Sequence, residues 1–396
     1  MRLSPGAGRA EFLIRHRFAV LTVAAVVIGV KTSVSFGAGS DFTFFRMAAL
    51  VFTGHSGDVA PNLFFAGPTL ATGPLDLYRD VPTVQIGPVP LAALTPVVLW
   101  LPQHLAVTTI AAISALALPL CLHLLEGAAD EHLGRDDSRP VLVFTAGAAC
   151  LLLWPSAFGR YVHPDDVLLL LAACAAVRAG VAGRWVSSAV LLGIAAGAKP
   201  WGLALLPVAL LGSRGRRLVL APAIAASTAA LPWLPFVLGA PGTVDALSGF
   251  HIYVSSTAPL SLLDVGGQVP SWLRPLQIGV GALLVLFAVQ CRLVLAGIAF
   301  AVAVRVSLEA QNYDYYFAVL AVATVGADLA VRGRRMPWAT ITVVLLVYDA
   351  RWLVPNDWQV AVIQASLLPV VLGAVLLGPA VSRLRTPRRN AGPRTA

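Results

Sequence analysis

Apolar runs long enough to cross a bilayer recur from Phe18 almost to the C-terminus, and they constrain the fold more than any other feature. About 20 apolar residues span a bilayer core as a helix, and inside lipid only a helix or a closed barrel satisfies its own backbone. Across 396 residues the chain is 58% hydrophobic and 12% charged, with a mean hydropathy of +0.81, which excludes a soluble domain. The expected fold is an all-α polytopic membrane protein, one integral membrane domain over residues 1–396. The formal charge of +9 does not point to nucleic acid, because Lys and Arg fall in short clusters between apolar runs and in the tail, as the positive-inside rule requires. Cys121, Cys150, Cys174 and Cys291 lie in apolar runs without a CxxC pair and are read as small core residues.

The clusters also orient the chain. Arg15-His-Arg17 precedes an apolar run, no small-residue cleavage site follows, and Lys31 interrupts the run's end. An uncleaved first helix over about 18–34 with its basic flank inside is therefore expected. Residues 35–88 become a long extracytoplasmic loop, followed by core helices over 89–240, a second outer loop over 241–273, C-terminal helices over 274–382 and a basic cytoplasmic tail over 383–396. The basic stretches at 178–184, 213–217, 291–292 and 332–335 belong inside. Parity then makes 88–125 an odd number of crossings, a short outer half-helix plus one span, although the acidic character of 126–139 argues against that segment lying inside. Further helices are expected near 140–158, 165–181, 217–239, 275–290, 293–310, 315–331, 337–350 and 358–382. Between Trp185 and Gly212 two short helices of about 14 residues, roughly 21 Å each, put Lys199-Pro-Trp201 at an outer tip.

This topology gathers ionisable residues on one face: Asp41, Asp58, Asp80, His163, Asp165, Asp166, Lys199, Glu309 and Asp314. Charges at membrane depth are costly and tend to mark sites. Asp41 follows the first helix and has two readings, a general base that takes a proton from an attacking hydroxyl or a solvated helix cap after Ser40. His163-Pro-Asp-Asp166 fits an ordinary helix start or hydroxyl recognition by the two acids. As a metal site it offers one imidazole and diverging neighbouring carboxylates, without HExxH spacing. Lys199 either snorkels to the interface or binds a lipid phosphate as a point charge. Tyr313 to Tyr316 form an aromatic belt or, with Asp314 among them, a lipid- or sugar-facing wall. Gln85-Ile-Gly-Pro88 begins a half-helix.

Together these residues resemble the GT-C superfamily of polyprenyl-phosphate-sugar-dependent glycosyltransferases, and among them actinobacterial members of glycosyltransferase family 87, which include phosphatidylinositol-mannoside mannosyltransferases. The resemblance is carried by Asp41, Tyr78, Pro82, Gln85 to Pro88, His163 to Asp166, Ala198-Lys-Pro-Trp201 and Tyr313-Asp-Tyr-Tyr316, over about Phe18 to Phe317. It implies a bundle of about 12 transmembrane helices (11–13), a first loop with short interfacial helices, and a first-loop Asp as catalytic base. It also implies a polyprenyl-phosphate sugar donor and a glycolipid or polysaccharide acceptor at the outer face of the cell membrane. No DxD stands in the first loop. The departing monophosphate then falls to Lys199 and Arg46, with no metal and no cofactor expected, and a single base implies displacement with inversion. Asp58, Tyr78, Asp80, Gln85, His163, Asp165, Asp166, Tyr313, Asp314 and Tyr316 are the expected substrate contacts. The sugar is expected to be mannose, with arabinofuranose as the alternative. A lipid or solute transporter is the rival from another class; it would place charges at mid-membrane in several helices and show internal repeats, and neither is present.

Overall fold

A computed structural model describes residues 11–36, 40–55, 73–81, 84, 86–157, 162–249 and 252–377, so Asp58, Gln85 and the tail from 378 lie outside the described residues. Helices make up the fold; among the described residues the only β pairing is an isolated bridge between Tyr253 and Gln268. Helix α1 (Arg17–Phe36) is followed by α2 (Ser40–Phe52). After a 3-10 turn at Pro74–Asp76 come α3 (Leu77–Asp80), α4 (Pro88–Trp100) and α5 (Gln103–Leu133). Then follow α6 (Arg139–Cys150), α7 (Pro164–Val181), α8 (Trp185–Ala198), a long 3-10 segment (Pro200–Leu210) and α9 (Arg217–Ala230). Short helices α10 (Leu234–Gly239) and α11 (Thr243–Gly249) precede α12 (Leu273–Gln290) and α13 (Gly297–Ser307). The chain closes with α14 (Asp314–Leu329), α15 (Trp338–Trp352), α16 (Asp357–Ala365) and α17 (Leu367–Leu376).

Among the described residues, four helical stretches are long and apolar enough to cross a membrane: Arg17–Ser35, Gln103–Leu133, Leu273–Gln290 and Asp357–Leu376. Shorter apolar helices fill the rest, so the expected count of about 12 full crossings is not reached among the described residues. Proline explains two of the shortfalls. The helix expected over 140–158 stops at Cys150 and resumes as a 3-10 turn at Trp154–Ala157 containing Pro155, and the one expected over 217–239 breaks at Leu231–Trp233, between α9 and α10, around Pro232 and Pro235. Proline lacks the N–H that a continuing helix needs and restricts the residue before it.

The core is built on α13 and α14. Every residue of α13 is buried, as is every residue of α14 from Tyr315 to Leu329. Small residues permit this close packing: a Cβ on Gly326 would stand 2.2 Å from the carbonyl oxygen of Leu295, so α14 touches backbone there. A second cluster, including Phe42, Phe45, Tyr78, Ile86, Val98 and Phe236, joins α2, α3, α4 and α10 into a cap. Helix α4 belongs to this cap, and Gln103 at the start of α5 accepts from Arg46 of α2 at 3.4 Å. Helix α5 then runs on to residues 126–133 at the far end.

At that far end the basic loops converge on residues 126–139. Arg17 pairs with Glu126 at 2.7 Å, Arg178 with Glu131 at 3.7 Å and Arg139 with Asp130. His132 bonds the Arg292 carbonyl at 3.0 Å, and Asp136 accepts from the Gly333 N–H at 3.0 Å. The acidic character of this stretch is thus local pairing with the arginines of the loops around it. The 252–272 loop is strapped to the opposite end, where the Ser255 N–H bonds Ala310 O at 2.9 Å and the Leu260 N–H bonds Glu309 O at 3.2 Å.

Candidate active site

Asp41 occupies the first turn of α2, which is pinned beneath it by buried Phe42 and Phe45. Facing it is His163, set just ahead of Pro164, the first residue of α7. Val162 before it has φ +55°, a left-handed conformation rare for a β-branched side chain, and the His163 N–H is held by Ala157 O at 2.8 Å. Strain of this kind costs about 1–3 kcal/mol and persists only where surrounding structure enforces it. The result is a hydrogen bond of 2.8 Å between His163 Nε2 and Asp41 Oδ2 across 122 residues of chain.

From His163 an ionic network runs inward. Its Nδ1 lies 3.3 Å from Asp165 Oδ1, Asp165 Oδ2 is 3.0 Å from Lys199 Nζ, and Lys199 also donates to Asp166. Asp166, wholly buried, accepts from Trp201 Nε1 at 3.1 Å and from Arg305 at 3.0 Å. Arg305 approaches Glu309 at 3.5 Å, and Glu309 takes Arg274 at 3.0 Å. Aromatic rings line the network: Tyr315 stacks on His163 with ring centroids 3.6 Å apart, and the Arg305 guanidinium sits 4.0 Å above Tyr316. Four carboxylates (Asp41, Asp165, Asp166, Glu309) meet three fixed cations (Lys199, Arg274, Arg305) among the described residues. Burial pulls the pKa of His163 down, but its contacts with Asp165 and Asp41 outweigh that and hold it above 6.5.

Backbone geometry fixes Lys199 in place. It joins α8 to the 3-10 segment with an extended backbone, and Ala198 O accepts the Gly87 N–H at 3.2 Å. A Cβ on Gly87 would stand 2.2 Å from Gly197 O, so only glycine lets the end of the first loop lie against this hinge.

The other expected site residues are distributed unevenly. Tyr316 is buried inside the network, and Tyr313 stacks on Tyr315 at 5.4 Å. Asp314 begins α14, half-buried. Tyr78 lies in the cap, its hydroxyl donating to Ile86 O at 2.9 Å, and Asp80 pairs with Arg79 at 2.7 Å. Arg46 is exposed on α2, turned to Gln103 rather than Lys199. Arg274 and Arg305 were not foreseen; an arginine inside the apolar run Val294–Ser307 is the signal that marks the second. His163, Asp165 and Asp166 offer donor atoms within 4.8 Å of one another, but the Lys199 ammonium already fills the position between the two carboxylates that a cation would take. Clefts of about 250 and 320 Å³ lie at the basic end, one lined by His132, Trp185 and Arg217 and the other by Arg178, Arg184 and Ser187. Gly180, on the first of these, is about 22 Å along α7 from Asp165 at 1.5 Å per residue.

Compared with known proteins, the chain matches the sequence model of glycosyltransferase family 87 over residues 87–331. That stretch takes in His163, Asp165, Asp166, Lys199, Arg305 and Tyr313 to Tyr316 and begins after Asp41. No curated protein and no solved structure matches the chain.

Proposed function

The chain belongs to glycosyltransferase family 87, and on that premise we propose that it transfers mannose from a polyprenyl-phosphate donor to a glycolipid or polysaccharide acceptor. The reaction takes place at the extracytoplasmic face of the cell membrane, in which the protein is multi-pass. The observation that carries this proposal is the 2.8 Å contact of Asp41 with His163, which ties the first-loop carboxylate to the buried network that contains Lys199. A base and a phosphate-binding cation on one connected scaffold are what sugar transfer from a phosphate carrier requires.

In this mechanism Asp41 accepts the proton of an acceptor hydroxyl as its oxygen attacks the anomeric carbon. The bond from that carbon to the phosphate oxygen breaks with its electron pair on the phosphate, and one displacement inverts the centre. Polyprenyl phosphate leaves with one more negative charge than the donor carried. Two of the three N–H groups of Lys199 serve Asp165 and Asp166, and the third is assigned to the departing phosphate, so no metal ion is needed to neutralise it. Arg46, exposed beside Gln103, is assigned to the same phosphate at the membrane surface. The tyrosines over the network supply flat faces for the sugar.

Membranes containing the protein, supplied in parallel with radiolabelled polyprenyl-phosphate mannose and polyprenyl-phosphate arabinose, test this. Label from the mannose donor should enter lipid or polysaccharide only where the protein is present. Label entering from the arabinose donor alone would replace mannose by arabinofuranose, and label from neither would contradict the proposed donor class.

A further inference from the structure

His163 is faced by a carboxylate at each ring nitrogen, Asp41 at Nε2 and Asp165 at Nδ1. An ionised carboxylate only accepts hydrogen bonds, whereas a neutral imidazole has one N–H and one lone pair. Either neutral tautomer would therefore turn a lone pair toward one of the two acids. Nδ1 and Asp165 Oδ1 are both buried, and neither meets a well-angled hydrogen-bond partner among the described residues, so the 3.3 Å ion-pair contact between them is what their surroundings offer each other.

The groups facing the ring from the packed elements act in both directions. In favour of a positive ring, α2 brings Asp41, α7 brings Asp165 and α14 brings Tyr315 in a stack tilted by 20°, a face that attracts cations; Phe45 of α2 stands nearly at right angles to the ring with its centroid 6.2 Å away. Opposing them are burial and the Lys199 ammonium. Lys199 is itself engaged by Asp165 and Asp166, and Arg305 shares Asp166.

We propose that His163 is a positioning residue, an imidazolium clamped between Asp41 and Asp165 that holds Asp41 oriented for proton acceptance. The inference rests on the assignment of Asp41 as base. The Nε2–H bond occupies Oδ2 of Asp41 and leaves the acceptor's proton to the other lone pairs of the carboxylate. His163 itself gains and loses no proton during transfer. The Tyr315 stack and the enforced backbone at Val162 keep the ring from swinging away.

Solid-state NMR of the full-length protein in bilayers, labelled with 15N-histidine and assigned with His163→Gln, reads the protonation directly. Both ring nitrogens of His163 should carry hydrogen near neutral pH, with a midpoint above 6.5 that falls by about one pH unit in Asp41→Asn and in Asp165→Asn. An unprotonated nitrogen near neutral pH, or a midpoint that neither substitution moves, overturns the proposal. In transfer from polyprenyl-phosphate mannose, His163→Gln should lower kcat about 10²-fold with the donor KM little changed. A kcat within a factor of two of wild type also overturns it. If no variant transfers sugar, the assignment of the activity fails while the NMR titration still decides the state of His163.

Discussion

Replacing Asp166 by Asn removes one charge from the centre of the network and almost no volume. Asp166 is wholly buried and receives Lys199, Arg305 at 3.0 Å and the Trp201 indole at 3.1 Å. Breaking a buried ion pair by removing one partner costs about 3–5 kcal/mol, because the other charge stays buried. Lys199 keeps Asp165 at 3.0 Å and Arg305 keeps Glu309 at 3.5 Å, which places the expected loss at the lower end, about 3 kcal/mol. A carboxylate acting only on its helix N-terminus would contribute about 0.3–1 kcal/mol. Reversible unfolding in SDS–detergent mixed micelles separates the two, with exposed Asp264→Asn as a control expected to stay within about 0.5 kcal/mol. A double-mutant cycle with Arg305→Gln should show coupling of about 0.5–3 kcal/mol. A loss of about 1 kcal/mol or less for Asp166→Asn, with no coupling to Arg305, would refute the argument that this residue anchors two buried cations.

Three further outcomes are expected. His163 has a folded pKa above 6.5, so its contribution to stability is fully present below that value and is lost as pH rises through the folded value; melting curves should show wild type losing more stability than His163→Gln between mildly acidic and alkaline pH, and parallel pH dependences would contradict this. Gly87→Ala puts a methyl 2.2 Å from Gly197 O and 2.7 Å from Ala198 O, backbone atoms that cannot step aside, so it should cost about 1–3 kcal/mol and slow transfer by displacing Lys199; a variant that melts and transfers like wild type would remove the hinge argument. Cysteines at Ser248, in the helix packed near α3 of the cap, and at Ser213, by the basic end, should label from opposite sides of the membrane; labelling of both from one side would overturn the orientation.

Some of this was written in the sequence and some was not. Apolar length and basic clusters were enough to place α1, the two short elements around Lys199 and α12 to α14, because those signals are local. Breaks at Leu151–Leu153 and Leu231–Trp233 were missed even though Pro155, Pro232 and Pro235 were in view, since hydropathy averages over a proline that hydrogen bonding does not tolerate. Within the site, the acids of 163–166 and Lys199 were visible as motif residues, but the sequence could not tell that each carboxylate already has a cation. Arg305 was hidden inside an apolar run, where its charge was averaged away, and only folding brings it to Asp166. Nor does the sequence show that Arg46 meets Gln103 of α5 at 3.4 Å, a contact made only once α2 and α5 pack together.

The most direct test of the central claim is the transfer rate of Asp41→Asn in detergent-solubilised protein supplied with polyprenyl-phosphate mannose. Asn is nearly isosteric and can still meet the His163 N–H, but it cannot take a proton from the acceptor, and general-base catalysis typically contributes about 10²–10⁴-fold. The variant should elute and melt much as wild type does, bind the donor, and transfer at least about 10²-fold more slowly. A folded, donor-binding Asp41→Asn protein that still transfers at more than about a tenth of the normal rate would contradict Asp41 as the base.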